Sequence, residues 1–596
     1  MTTRRLSLAL VGVFVFLYLL PLGVRPLVIP DEARYGEIPR EMLVSGDWVV
    51  PHLNGMRYFE KPPLGYWLNA AAMWLLGENA FAIRLSSALA AGLTAWLLLV
   101  WARRFSDDEA VPLLAAAVFL LSFEVFAVGT FCVLDSLLSL FVTAAMVAFY
   151  FACQQEAARS KVILLVLAGL ACGLAFLTKG FLALVIPVLV IVPFSLWQGS
   201  FKLMLRTAWI ALIPAVLVVL PWAIMIHRRE PDFWHYFFWI EHVNRFLAAD
   251  GGQHPEPFWF YVPMLLGGAM PWTPLAGPIV VGLRHSNWKH PMMRLALCWL
   301  ALPFLFFSAC SGKLGTYILP CFPPLAFLIA VGTLRSLRKG DLKGFARGAA
   351  VILVISGVCL LALLTGLILM PEMSQAVGLW KWSILAVGLL LWAVFSLASI
   401  HAQDLRRKLV LYSAGSVLFL FSWPIVSPAV LKTTKAPGAF LLANAARVCD
   451  TSVLVAENAL TAATCWYYER DNIYILGRKG EYEYGLSYPD SAYRLLDVEG
   501  LKAIIAQQEE GDHVVLVTKA RYYAELKKQL PAPSCEQIHG GIAWIEYVPT
   551  SSERSSGSSR SGVESATHEF SVRSGVLLVP AEEQFRLSNS KPNSDL

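Results

Sequence analysis

The chain has 596 residues, 57% of them hydrophobic and 15% charged, with a formal net charge of +6 and a mean hydropathy of +0.59. Soluble globular domains run at about 45–50% apolar and about 25% charged residues. The composition therefore excludes an ordinary water-soluble enzyme and points to the bilayer as solvent. The small basic excess is no nucleic-acid footprint, because membrane proteins concentrate Lys and Arg in cytoplasmic loops.

The N-terminal MTTRRLSLALVGVFVFLYLLPLGV carries two arginines and then an apolar run too long for a signal-peptide core, with no small-x-small cleavage site before Arg25-Pro26. It reads as the first of about thirteen transmembrane helices. These are predicted at 7–24, 83–101, 111–129, 134–152, 162–178, 181–197, 207–226, 258–283, 295–310, 318–334, 349–370, 382–400 and 409–428, against roughly 17–25 residues per span. With the N-terminus inside, the inside loops hold Arg4-Arg5, Arg103-Arg104, Arg159, Lys161, Lys202, Arg206, Arg284, Lys289, Arg294, the Arg335–Arg347 group and Arg406-Arg407-Lys408. The outside loops are longer and hold fewer basic residues for their length, as the positive-inside rule requires.

Two outside loops stand apart, 25–82 and 227–257. In the first, EARYGEIPREMLVSG and PLGYWLNAAAMWLLG read as short helices suited to lying along the interface. The second, HRREPDFWHYFFWIEHVNRFLAADGGQHPEP, is charged and aromatic, and loops of this length are commonly functional. Residues 429–549 change character. VLVAEN, NIYIL, HVVLV and AWIEYV are strand-like, DVEGLKAIIAQQ and ARYYAELKKQL are helical in period, and together they predict a small α/β domain. The Ser/Gly/Arg-rich start of 550–596 predicts a disordered tail. The expected fold is thus an all-α polytopic membrane protein with a small α/β C-terminal domain on the outside. Seven cysteines fall in or at apolar runs; Cys449, Cys465 and Cys535 lie in the polar region and allow at most one disulfide there.

Candidate chemistry gathers outside the spans. Asp31 directly follows Pro30 at the end of the first span; it reads either as the start of a helix or as a carboxylate facing a polar cavity at the membrane boundary. RYFEKPPLGYW places Arg57, Tyr58, Glu60 and Lys61 before two prolines that force an extended path. That is either an interfacial anchor or a phosphate site, with Lys as point charge and Tyr as donor. Asp135 opens a span, as a helix cap or a paired carboxylate. Lys179 and Lys313 sit outside, against the charge bias, which favours them as phosphate ligands; Tyr317 follows Lys313 by one turn. His242 and Arg245 lie one helical turn apart in the second loop. Glu60 and His242 could share a divalent metal such as zinc, although two ligands do not make a site. No Walker loop, GxGxxG, HExxH or GxSxG context occurs, which argues against ATP and nicotinamide chemistry.

PDEARYGEIPREML and RYFEKPPLGYWLN resemble the opening loop of the bacterial 4-amino-4-deoxy-L-arabinose transferases of lipid A, in the membrane glycosyltransferase group that includes the protein O-mannosyltransferases. VLDSLLSLF, TKGFLALVIPVL, REPDFWHYFFWIEHVNRF, FWFYVP and GKLGTYILPCFPPLA follow in the same order, so the resemblance is strong over about residues 1–335. It implies a GT-C type fold in a Gram-negative inner membrane, with the site and C-terminal domain in the periplasm. It also implies inverting transfer of the aminosugar from undecaprenyl phosphate to lipid A phosphates, and polymyxin resistance as the result. By the same resemblance Asp31 is the key acidic residue and Asp135 a second one. Tyr58 and Lys61 meet the carrier phosphate, Glu60 and His242 are associated with a metal, and Arg245, Lys313 and Tyr317 lie in matching blocks. A related transferase with another sugar or a protein acceptor fits the same residues. A transporter or flippase fits less well, since the charged residues sit on one face and no internal repeat is visible.

Overall fold

In the computed structural model, residues 3–106, 108–244, 255–369, 378–431, 433–509 and 513–548 are described. All belong to one unit, 1–549. The predicted tail 550–596 and residues 245–254 of the second loop, Arg245 among them, lie outside the described residues, as does the His242 side chain.

Apolar runs become helices because a chain in hydrocarbon must satisfy its backbone internally. Among the described residues nine helices are long and apolar enough to cross a membrane, or eleven if two sharply bent pairs each count as one span. The remaining two predicted spans are helical but shorter. Thr3–Phe14 continues through a π-helical turn to Leu19, and Leu182–Trp197 has 16 residues. The chain is a multi-pass membrane protein. Gly315–Arg338 has 89% of its apolar window buried and runs through the middle, whereas Leu342–Leu369 has 11% buried and faces outward. Small residues set the closest helix contacts: a Cβ on Gly282 would stand 1.9 Å from the Gly332 carbonyl oxygen.

Two predicted spans are not straight. Ala110–Leu121 and Phe123–Gly129 meet at 62°, and Phe258–Gly268 and Thr273–Arg284 at 96°. Pro271 and Pro274 cannot donate in the second break. The two breaks satisfy each other: the Phe123 N–H donates to the Met270 carbonyl at 3.0 Å. The Tyr412 and Tyr18 hydroxyls donate to the Pro271 and Leu120 carbonyls at 2.5 and 2.6 Å.

The first loop does not simply lie on the membrane. Its Asp31–Ser45 helix, expected at the interface, has ten of fifteen residues buried, because the Leu64–Leu76 helix and the Asn458–Tyr468 helix of the C-terminal domain pack against it. Trp466 crosses Gly36 so closely that a Cβ there would meet its ring at 3.1 Å. The Leu64–Leu76 helix keeps the interfacial character, with Trp74, Leu75 and Leu76 exposed at its end. A hairpin of β1 (His52–Leu53) and β2 (Met56–Arg57) turns through Asn54 and Gly55, both at positive φ.

The C-terminal domain is a six-stranded mixed sheet, with β3 Val453–Glu457, β4 Tyr474–Leu476, β5 Leu495–Leu496, β6 Val514–Lys519, β7 Cys535–His539 and β8 Ile542–Tyr547 in the order β5-β4-β3-β6-β8-β7. β5, β4, β3 and β6 run parallel, and β8 and β7 add an antiparallel edge. Helices Val498–Ala506 and Ala520–Leu526 occupy the two predicted helical stretches. Cys449, Cys465 and Cys535 are free thiols rather than a disulfide pair; Cys465 is buried beside Asn54, whereas Cys535 accepts from Arg447.

Candidate active site

The first loop is held by Glu32. Its carboxylate takes Arg25 at 2.6 and 2.9 Å, Arg84 at 2.7 and 2.8 Å, and the backbone N–H groups of Val28 and Cys132 at 3.0 Å each. Arg84 also donates to the carbonyls of Leu22, Arg25 and Pro26. Burial pushes the Glu32 carboxyl up, but the Arg84 and Arg25 charges and hydrogen bonds overcome it and bring it to about 2. This cluster fixes where the next helix begins.

Asp31 is the first residue of that helix, where a negative charge meets the positive end of the helix dipole. Its side chain stays 43% exposed while Glu32 is fully buried. Asp31 pairs with Arg34 at 2.5 Å. Arg34 also donates to the Tyr58 hydroxyl at 3.1 Å and forms an ion pair with Glu481 from the C-terminal domain. Tyr35 stacks on Tyr66 at 6.0 Å between ring centroids. Burial pushes the Tyr35 phenol well above its usual range, with Asp31 and Asp135 both close enough to add to the shift.

Asp135 and Lys179 join the same end of the bundle. Asp135 opens the Asp135–Cys153 helix and Lys179 closes the Ala158–Lys179 helix, each at the terminus its charge favours. They pair at 2.6 Å, with Lys179 stacked 4.6 Å from the Tyr317 ring centroid. Lys61 lies across from the second loop. Its ammonium donates to Glu241 at 2.6 Å and to the Glu60 carbonyl at 2.7 Å.

The expected residues thus fall into linked groups: Asp31 with Tyr58 through Arg34, Asp135 with Lys179 and Tyr317, and Lys61 with the second loop. Lys313 stands differently. It is buried and donates to the carbonyls of Glu256 and Cys310 at 2.6 and 2.5 Å, pinning the end of the second loop. Lys313 therefore serves as a brace here, because two carbonyls take its ammonium. For the metal expectation, among the described residues no three His, Cys, Asp or Glu side chains gather as a metal site. Glu60 alone of the expected pair has a described side chain.

Sequence reasoning missed Arg34, Glu241 and Glu481. Arg34 was readable as the i+3 partner of Asp31, and Glu241 adjoins His242. Glu481 carries no local signal.

The chain resembles known proteins over most of its length. Residues 4–237 match the dolichyl-phosphate-mannose-protein mannosyltransferase family model, and residues 432–546 the arabinosyl transferase ArnT C-terminal domain. An undecaprenyl phosphate-alpha-4-amino-4-deoxy-L-arabinose arabinosyl transferase from Aeromonas salmonicida (strain A449) is 42% identical over 85% of this chain and 92% of its own length. The protein of the same name from Shewanella sediminis (strain HAW-EB3) is 40% identical over 90% and 96%. The chain belongs to this arabinosyltransferase family. The fold agrees: the crystal structure of ArnT from Cupriavidus metallidurans bound to undecaprenyl phosphate superposes with a TM-score of 0.78 at 22% identity, covering 92% of this chain and 99% of that one. The transferase is a membrane glycosyltransferase, and its ion-paired loop end is the candidate site for its chemistry.

Proposed function

We propose that this transferase moves 4-amino-4-deoxy-L-arabinose from undecaprenyl phosphate to phosphate groups of lipid A, at the periplasmic face of a Gram-negative inner membrane. The observation that carries the reading is the 42% identity to a transferase named for this donor, over 92% of that protein. The positive-inside pattern supports a periplasmic side for the C-terminal domain and both long loops. Added ammonium groups offset phosphate charge on lipid A, which is the physical basis for resistance to polymyxin and other cationic peptides.

The leaving group is a lipid phosphate, so a cation must meet its developing charge in a partly dry site. Lys61 supports this reading: its ammonium donates to Glu241 at 2.6 Å, and a phosphate would take over that contact. Tyr58 adds a hydroxyl on the Arg34 side. The acceptor is itself an ionised phosphate and needs no strong general base. Asp31 then stabilises positive charge at the anomeric carbon or orients the acceptor, and the Asp135–Lys179 pair supplies a second acidic position with its own cation. Glu60, with His242, would serve as the metal position if the reaction uses a divalent ion such as zinc; no step above depends on one.

The match of residues 4–237 to protein mannosyltransferases favours one second reading, transfer to a protein hydroxyl. Asp31 would then be required as a base. Mass spectrometry of lipid A from cells with and without the gene separates the two. Aminoarabinose on lipid A phosphates only with the gene is expected; unmodified lipid A in both overturns the proposal.

A further inference from the structure

A cavity of about 210 Å³ lies between the first helix, Thr3–Phe14, and the Ala110–Leu121 and Leu405–Val430 helices. All three helices begin at this end, and Asp31 follows the far end of the first span. Each helix offers one stripe. Leu6 and Leu10, Leu113 and Ala117, Val410 and Ala414 stand four residues apart on them. Ala117 and Ala414 leave space that a larger side chain would fill. Leu6, Leu113, Ala117 and Val410 stay partly exposed, so the cavity is a groove open on the side of the bundle.

Its length is that of one leaflet. The lining runs from Thr3 to Val13, from Ala110 to Leu121 and from Arg406 to Val417. At about 1.5 Å per residue this is about 15 Å, half of the roughly 30 Å hydrocarbon core of a bilayer. Charge lies at one end. Among the lining residues only Glu109 and Arg406 are charged, and both stand where their helices begin. Arg103 takes Glu109 at 3.5 Å. The side chain of Arg406 is exposed and makes no ion pair or hydrogen bond among the described residues. The same holds for Arg4 and Arg407, also in the first turns of these helices. Finally, no residue of Thr3–Phe14 is buried, whereas Leu17 and Tyr18 in the next turn are fully buried. Protein therefore covers the second half of this span and not the first.

An apolar cavity of this size stays dry and takes an apolar guest. In a bilayer that guest is an acyl chain. A lipid tail gains little by exchanging lipid for Leu and Ala. Selectivity then falls to the head group, and unpaired arginines between spans at a cytoplasmic face select an anionic one. The positive-inside pattern supports this end as the cytoplasmic one. We infer that one anionic phospholipid, phosphatidylglycerol in chemistry, seats an acyl chain in this groove and its phosphate on Arg406. The lipid braces the first half of the span whose far end Glu32 anchors through Arg25. The inference does not depend on which sugar or acceptor the transferase uses.

The test places the full-length protein in nanodiscs of equal parts phosphatidylglycerol and phosphatidylcholine with identical acyl chains. Native mass spectrometry of the released protein reads which lipid it keeps. The wild type should keep one phosphatidylglycerol, about tenfold or more over phosphatidylcholine. Arg406→Gln should cut that preference by about fivefold, the worth of one basic residue beside an anionic lipid. Ala414→Phe fills the groove and should keep no lipid while melting at or above the wild-type temperature. Arg284→Gln, an inside arginine away from the groove, should behave as the wild type. Equal retention of both lipids by the wild type, or none of either, overturns the inference. So does an undiminished preference in Arg406→Gln, which settles the matter even if Ala414→Phe fails to fold. Equal loss in Arg284→Gln overturns it too, since the attraction would then be diffuse. Displacement of the retained lipid by undecaprenyl phosphate would give the groove to the carrier instead and also overturn it.

Discussion

Around Glu32 every charge is matched, whereas around Asp31, one residue earlier, matching is incomplete. Glu32 is sealed between Arg25 and Arg84 and takes two backbone N–H groups as well. Asp31 shares Arg34 with Glu481 and stays partly exposed, and among the described residues Arg34 Nε has no partner. Both clusters hang on the same helix terminus. The difference teaches that a closed ion cluster serves position, and an open one leaves room for a substrate. The closed one makes the open one possible, because an Asp31 on a loosely anchored loop would not hold a fixed geometry.

The sharpest way to break this contrast is to exchange the outcomes of the two carboxylates. Glu32→Ala would leave two buried guanidinium groups facing each other, which costs about 3–5 kcal/mol. A large drop in folded protein and melting temperature is expected, with lost activity following lost structure. A variant that folds as well as the wild type would show that Glu32 is not the anchor. Asp31→Asn should do the reverse, leaving the melting temperature unchanged and lowering transfer by about 10²–10³-fold. Normal aminoarabinose on lipid A at normal protein levels would remove Asp31 from the chemistry.

Acid separates the clusters next. The folded Glu32 carboxyl is held at about 2 against an ordinary 4.5. A depressed carboxyl stabilises the fold above its unfolded value, and that contribution is lost as pH falls from about 4.5 toward 2. The linkage amounts to about 3 kcal/mol. Melting curves of wild type and Glu32→Gln should therefore converge across that window; parallel decline of both would refute the assignment. The smallest effect belongs to the edge of the open cluster. Lys61→Ala removes one half-screened cation and should weaken binding of undecaprenyl phosphate by about ten- to a hundredfold, as for one charge-assisted contact. Direct binding to the solubilised protein measures it, and unaltered affinity would assign the carrier phosphate to another cation.

Much of the architecture was legible in the chain. The nine qualifying helices, both bent pairs and the two shorter segments each coincide with a predicted span, because hydrocarbon thickness fixes how long an apolar run must be. The bends were not read, although Pro271 and Pro274 mark one of them. The Ser122 break has no such marker and depends on Met270 accepting from Phe123. The Asp31–Ser45 helix was placed at the interface because its amphipathic stripe looks the same whether water, lipid headgroups or a protein domain covers it; the Asn458–Tyr468 helix covers it. Arg84, inside a predicted span, was a visible oddity, yet only its partners explain it.

Hydropathy, proline placement and charge asymmetry by themselves determined that this is a many-spanning protein with two long loops and a sheet domain at the end. They did so because each is a local property that the bilayer or the helix dipole enforces residue by residue. Which carboxylate would be sealed and which left open was decided only by tertiary structure. The pairs Lys61–Glu241 and Arg34–Glu481 span 180 and 447 positions, and no local energy term links residues so far apart until the folded chain brings them within a few ångströms.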